Sequence, residues 1–439
     1  MHFRSSRKLL AAISASALTV GLIATLAVGA SARSTSSYAR NAAPRGGCVT
    51  ISGRMWGTLT IAPHTGQRVN IYTLTNGNGM RVNISNYGGI VQSIRVRDRA
   101  RGLRNVALGF PANAAGLSQY ETMFQNPPPG GSGNTYFGAI IGRYANRIAG
   151  AEFTLNGKTY PLGSPQPPSP NPNNGPNLLH GGPDAYNAQV WTPSIPKTGC
   201  NSASLRLTYT DPNGKNGFPG TVMNTVTYTL TNSNALQIRY RATTDAPTVI
   251  NLTNHTYFNL AGEGSGTVYN QLLQINANRF QPVDANLIPT GFANVGGTPF
   301  DFRRAKPIGR DIRNASAPQG NQLVIAHGYD HNWVLNGSGF RRVSVAQDPG
   351  SGITLATYTD QPGVQMYTGN FLVGDLVGTS GRTYRQSDGF TLETQHFPDT
   401  PHHIGDPAWP SVVLNPGTAF TSRTDYRFSV AATSHRRNG

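Results

Sequence analysis

The polar and apolar positions of this chain alternate in short runs. "RVNIYTLTN", "SLRLTYTD", "TVTYTLTN", "ALQIRYRATT", "GITLATYTD" and "DYRFSVA" each place every second residue on a common side, the period of a β-strand. Turn-forming residues bound the runs, and no apolar stretch of helical period extends beyond about three turns. No fixed repeat is visible, which argues against a propeller or solenoid. The pattern predicts an all-β or mostly β chain of many short strands with few short helices.

Two stretches carry this alternation with unusual residues. In "VINLTNHTYFNLAG" a continuous strand would put Ile250, Leu252, Phe258 and Leu260 on one face, with Asn254 and Thr256 between them. Asn251, Thr253, His255, Tyr257 and Asn259 would share the other face. In "DGFTLETQHFPD", Phe390 and Leu392 fall on one face and Thr391, Glu393 and Gln395 on the opposite one. A histidine and a carboxylate thus each stand on the polar side of a strand whose reverse is apolar. Taken singly, each reads most simply as a hydrogen-bonded or solvated surface group.

Composition narrows the class. The 439 residues suit one large or two ordinary domains, and 51 glycines with 31 prolines supply the turns. The N-terminus carries Arg4, Arg7 and Lys8, then a mostly apolar run to Ala30 and the small-residue triplet Ala30–Ala32, the form of a secretory signal. This predicts a signal peptide over residues 1–32, an exported protein, and no membrane association after cleavage. A basic linker over 33–55, one domain over 56–432 and a tail over 433–439 complete the expected organisation. The net charge of +17 becomes +14 without the three cations of the signal, which contains no acid. The basic residues are scattered, with no run of five and no aromatic–basic motif, so no nucleic-acid site is expected. Cys48 and Cys200 remain after cleavage, and an oxidising compartment favours their pairing. Such a bridge could contribute roughly 4–5 kcal/mol in the chain-entropy model. No metal-ligand spacing and no nucleotide motif is present, so no cofactor is expected.

Several further stretches hold residues suited to chemistry beside glycines: Asn146 and Arg147 in "IGRYANRIAG", His180 in "NLLHGG", Asp330 in "GYDHNWVL", and Gln365 with Tyr367 in "QPGVQMYTGNF". Two proline- and glycine-rich loops, "NPPPGGSGN" (126–134) and "GSPQPPSPNPNNGPN" (163–177), precede such stretches and are expected at the rim of a site. In "LHGG" the glycines would allow a sharp turn and a close approach to a ligand.

Together with "NYGGIVQSIRVRDR" and "LIPTG", and in this order, the motifs make the sequence resemble the aldose 1-epimerases, the galactose mutarotases, from about Trp56 to Ala431. The resemblance implies a large antiparallel β-sandwich with the site in a concave sheet. It implies interconversion of the α and β anomers of free hexoses such as glucose and galactose, without metal or cofactor. By the same resemblance His255 is the general acid and Glu393 the general base. Arg147, His180 and Asp330 hold the sugar, with Asn146, Tyr257 and Gln365 beside them. The signal, the linker and the proline-rich loops depart from the family pattern.

The chemistry suits those residue types. Ring opening needs a proton removed from the C1 hydroxyl and one delivered to the ring oxygen, and closure after rotation about C1–C2 reverses both transfers. A nearby Glu393 is expected to raise the pKa of His255 and to give a bell-shaped pH–rate profile. The competing readings are a secreted sugar-binding protein without turnover and a hexose-phosphate epimerase. A glycosidase fits less well, because hydrolysis ordinarily needs paired carboxylates. Of the sequons at Asn251 and Asn254, usable only in a host with the machinery, the second is read as unused, because a glycan there would crowd the apolar face.

Overall fold

The computed structural model describes residues 47–163 and 176–431. The expected signal peptide, most of the linker, most of the second proline-rich loop and the C-terminal tail lie outside them. The linker expectation needs one correction. Residues 50–55 already belong to the strand Thr50–Thr58, paired along its length with Arg68–Thr75, so the ordered fold starts earlier than Trp56. Its alternation of glycine and arginine with apolar residues is too weak to mark a strand without the partner.

Three antiparallel sheets make up the body. A meander of five strands runs from Thr50–Thr58 to Leu103–Asn105. A nine-stranded sheet is ordered Thr192–Lys197, Ser202–Asp211, Val222–Thr231, Ala235–Thr244, Phe420–Val430, Ile353–Thr359, Arg341–Gln347, Leu272–Ile275 and Lys306–Pro307. A six-stranded sheet is ordered Tyr257–Phe258, Phe390–Gln395, Gly363–Tyr367, Asp330–Leu335, Ala277–Gln281 and Ala293–Asn294. The expected all-β sandwich is therefore the architecture.

The two larger sheets press their apolar sides together. Phe258 meets Tyr426 edge to face at 5.0 Å, and the Tyr426 hydroxyl donates to the Leu392 carbonyl at 3.2 Å. Phe390, Leu392, Ile238, Leu355 and Phe428 belong to one continuous core, joined by Val82, Ile84 and Ile94 of the five-stranded sheet. Each such aliphatic or aromatic side chain stabilises the fold by about 1.5–3 kcal/mol through burial.

Among the described residues the longest helix is Ala114–Gln125, capped by Asn113, whose carboxamide oxygen accepts the Gly116 N–H at 3.0 Å. It buries Leu117, Tyr120 and Phe124 in a second core. From Tyr120 a chain of ring contacts runs through Phe110 (4.7 Å), Phe137 (5.5 Å) and Tyr257 (4.8 Å), bracing Tyr257 from behind. The bridge between Cys48 and Cys200 closes 152 residues and ties the first strand to the turn before Ser202–Asp211.

The stretch around His255 departs from the expected continuous strand. It forms three two-residue strands, Thr248–Val249, Thr253–Asn254 and Tyr257–Phe258, paired respectively with Val413–Leu414, Ile140–Ile141 and Phe390–Thr391. Its polar residues are buried, not solvated. The Asn251 side chain donates to the carbonyls of Ala145 and His396, Asn254 to that of Gly138, and Asn259 to those of Gly266 and Asp388. The amides satisfy passing backbone where no regular ladder does. Asn251 and Asn254 leave no room for a glycan.

Candidate active site

Sheet register brings the site together. Across the six-stranded sheet, Tyr257 stands opposite Thr391, Thr391 opposite Tyr367, and Tyr367 opposite Asp330. In the adjoining row Glu393 stands opposite Gln365 and Gln365 opposite Asn332. The alternation read in "FTLETQ" holds: Phe390 and Leu392 enter the core, while Glu393 faces a cleft. That cleft is lined by Asn146, Arg147, His180, His255, Tyr257, Asp330 and Glu393. The first proline-rich loop supplies Ser132 and Asn134 to its rim, as its position predicted, and Thr135 and Tyr136 follow directly after it. Gln365 is the exception among the expected contacts. It shares the sheet face of Glu393 but does not line the cleft, and it donates to Asp330 Oδ1 at 2.7 Å, so it holds Asp330 in place.

Two loop segments complete the cleft. Asn146 and His180 both adopt left-handed backbone, at φ 66° and 53°, and grip each other. The Asn146 N–H donates to His180 Nδ1 at 3.1 Å, and the His180 N–H returns to the Asn146 carbonyl at 3.1 Å. With Nδ1 accepting, a neutral His180 carries its proton on Nε2 and is a fixed donor. The glycine after it is required for a reason other than ligand approach. Gly181 has φ 88°, and a Cβ there would lie 2.2 Å from the Gly142 carbonyl oxygen. The close approach is to the protein's own backbone.

His255 Nε2 lies 3.4 Å from Glu393 Oε1, both groups buried. Thr391 Oγ1 donates to the same carboxylate oxygen at 2.8 Å. Arg147 Nη1 is 3.8 Å from Asp330 Oδ2. His255 Nδ1 and Glu393 Oε2 have no protein partner. Tyr136, also in left-handed backbone at φ 54°, packs against His180 (4.6 Å) and His255 (5.7 Å). Its sequence signal was faint, a tyrosine closing a glycine-rich insert.

Burial governs the titration of the cleft. It pushes Glu393 up to about 8, with Asp330 adding to the rise and the Thr391 hydrogen bond and Arg147 opposing it. It raises Asp330 as well, against Arg147 and Gln365. His180 is held well below the usual histidine range by burial and by the charges of His255 and Arg147. His255 is lowered to about 3 by burial. The expectation that Glu393 would raise His255 is therefore corrected. The low-dielectric surroundings disfavour the charged form of both partners, leaving a neutral imidazole beside a neutral carboxylic acid. The pair still holds one proton, as an imidazolium–carboxylate pair would.

Donor-type atoms of His180, His255 and Glu393 lie within 4.8 Å of one another, a spacing a small cation could span. All three groups are buried, and His180 Nδ1 already accepts from the Asn146 backbone.

Comparison with known proteins agrees with the geometry. The family model for aldose 1-epimerase matches residues 70–427. A galactose mutarotase from Bos taurus is 38% identical over 385 residues, covering 87% of this chain and all of that protein. An aldose 1-epimerase from Escherichia coli K12 is 35% identical over 376 residues, covering 84% and 98% respectively. A galactose 1-epimerase structure from Lactobacillus acidophilus NCFM superposes with a TM-score of 0.69 at 26% identity, covering 87% of this chain and all of its own. By sequence, fold and the residues gathered in its cleft, the chain belongs to the aldose 1-epimerase family.

Proposed function

We propose that Glu393 and His255 are the proton-transfer pair with which this aldose 1-epimerase interconverts the α and β anomers of a free hexose, glucose or galactose. The observation that carries the assignment is the 3.4 Å contact between two buried titratable groups facing one cleft. Buried pairs with shifted titration are the usual mark of acid–base catalysis.

The proton count follows from that geometry. When a cyclic sugar is held, the shared proton belongs on His255, poised for the ring oxygen, and Glu393 is ionised, poised for the C1 hydroxyl. Opening moves one proton to the ring oxygen and one to Glu393. The pair is then neutral imidazole and carboxylic acid, the state that burial favours without sugar. The site thus favours the protonation state that accompanies the open-chain aldehyde. Rotation about C1–C2 presents the other carbonyl face. Closure returns a proton from Glu393 to the carbonyl oxygen and one from the sugar hydroxyl to His255. No proton is exchanged with water in the cycle. His180 Nε2–H, Arg147 and Asp330 supply donors and an acceptor for the remaining hydroxyls. Tyr136 and Tyr257 give the sugar's apolar faces aromatic walls.

A sugar-binding protein without turnover would gain nothing from burying this pair, which costs stability. A hexose-phosphate site would need a cation free to meet the phosphate. Arg147 is set beside Asp330 instead. The test is polarimetry on fresh α-D-glucose and α-D-galactose. The wild type should speed approach to anomeric equilibrium and Glu393→Gln should lose about 10²–10⁴-fold in kcat. Equal rates for the two proteins would refute the assignment. Export is proposed with it, supported by the Arg4/Arg7/Lys8 segment with its apolar run and by the Cys48–Cys200 bridge. N-terminal sequencing of protein recovered outside the cytoplasm should then begin near Arg33.

A further inference from the structure

The nine-stranded sheet turns its second face to solvent, and that face is rich in arginine. Strand register aligns the side chains in rows. Arg206 stands opposite Thr227, Thr227 opposite Arg239, and Arg239 opposite Arg423. The next row runs Thr208, Thr225, Arg241 and Thr421. These residues line a shallow groove of about 1200 Å³, its open mouth included, in which Asp360 is the one carboxylate. With strands about 4.8 Å apart, Arg206 and Arg239 are spaced by about 10 Å and Arg239 and Arg423 by half that.

The arginines differ in how they are held. Arg423 donates to both oxygens of the fully buried Asp425, at 2.8 and 2.9 Å, and lies over the Phe340 ring at 4.0 Å. It is fixed and ready for a second partner. Arg206, Arg239 and Arg241 are exposed and form no hydrogen bond or ion pair among the described residues. Like charges directly opposite on neighbouring strands destabilise a sheet, and Arg239 faces Arg423 in that way. A face that only covered the core would gain by mixing signs. This one pairs Arg423 with Asp425 but leaves Arg206, Arg239 and Arg241 without a carboxylate partner among the described residues, with hydroxyls set between them.

We propose that this groove binds an acidic polysaccharide, a glycan whose carboxylate or sulfate groups seat on Arg206, Arg239, Arg241 and Arg423 while the intervening threonines meet its hydroxyls. Guanidinium forks match such oxyanions in geometry and charge. Nucleic acid fits less well. The aromatic rings at the groove's end, Phe340 and Tyr358, stack on each other and are covered by Arg423 and Arg427, which leaves no open ring for a base. The groove lies on a different sheet from the cleft, so the proposal stands apart from the epimerase reaction.

The test is titration of the full chain with polygalacturonate, dextran sulfate, uncharged dextran and duplex DNA at low and physiological salt. Both acidic glycans should bind and weaken with salt, and dextran should not bind. The tighter of the two identifies the oxyanion. The variant Arg206→Ser/Arg239→Ser/Arg241→Ser should bind roughly tenfold more weakly or worse. Arg68→Ser/Arg81→Ser/Arg95→Ser, with the same charge change on the five-stranded sheet, should stay within about twofold. Unchanged turnover of free hexose certifies the fold of both. The single Arg239→Ser, with a smaller loss in the same direction, covers the case of a triple variant that fails to fold. Equal losses in the two triples, no binding of either acidic glycan, or tighter binding of DNA than of both would overturn the proposal.

Discussion

The strands Phe390–Gln395 and Phe420–Val430 lie back to back, sharing one apolar core, and their other faces carry similar polar residues in opposite circumstances. On the first, Thr391, Glu393 and Gln395 are all buried. On the second, Thr421 is exposed and Arg423 and Arg427 are half-buried. The exposed arginines of that sheet stay in water, where a charge costs the fold little. In the cleft, the same β-alternation places a carboxylate in buried surroundings, which push it up to about 8. The chemistry of the molecule follows the environment of a polar face and not its residue types.

Substitutions on the two faces should therefore differ sharply. In the cleft, His255→Asn should cost about 10²–10⁴-fold in kcat in the polarimetric assay while the variant stays folded by circular dichroism. On the outer face, Arg239→Ser should leave that rate unchanged. A comparable loss in Arg239→Ser would break the contrast. Asp330→Asn should act mainly on KM, raising it roughly 10–100-fold, because it removes a charged acceptor for sugar hydroxyls. A pure kcat effect would move Asp330 from binding into proton transfer.

Stability sharpens the contrast from the other side. Glu393 has a folded pKa of about 8 against an ordinary value of 4.5, so between those pH values the folded state retains a proton that the unfolded state releases. Its contribution is present below about 4.5 and is lost as pH rises through about 8. Glu393→Gln has no such loss. In thermal melts its Tm should rise progressively relative to the wild type as pH increases from about 4.5 to about 8. A gap independent of pH would mean that Glu393 is ionised in the empty cleft.

Much of this was legible in the chain. The alternation in "FTLETQ" placed Glu393 opposite the core side, and the motifs named Asn146, Arg147, His180, His255, Tyr257 and Asp330, all of which line the cleft. Three features were not legible, each for a physical reason. "VINLTNHTYFNLAG" looked like one strand because parity is local, whereas its division into three pairings depends on loops distant in sequence. The sense of the His255 shift depended on burial, which no spacing reveals, so a neighbour's charge was given too much weight. The arginines looked scattered because Arg206 and Arg423 join the pair Arg239 and Arg241 only through sheet register.

The central claim is that one proton, shared by the buried Glu393 and His255, does the work, and the pH dependence of kcat/KM tests it most directly. Catalysis needs the pair to hold a single proton, so it is bounded by the pair's two macroscopic pKa values. With Glu393 at about 8 and His255 at about 3, mutarotation of α-D-galactose should be steady from about pH 5 to 7 and fall as pH passes through about 8. The residual rate of Glu393→Gln should show no such alkaline limb. A wild-type profile flat to pH 10, or the same limb in both proteins, would contradict the account.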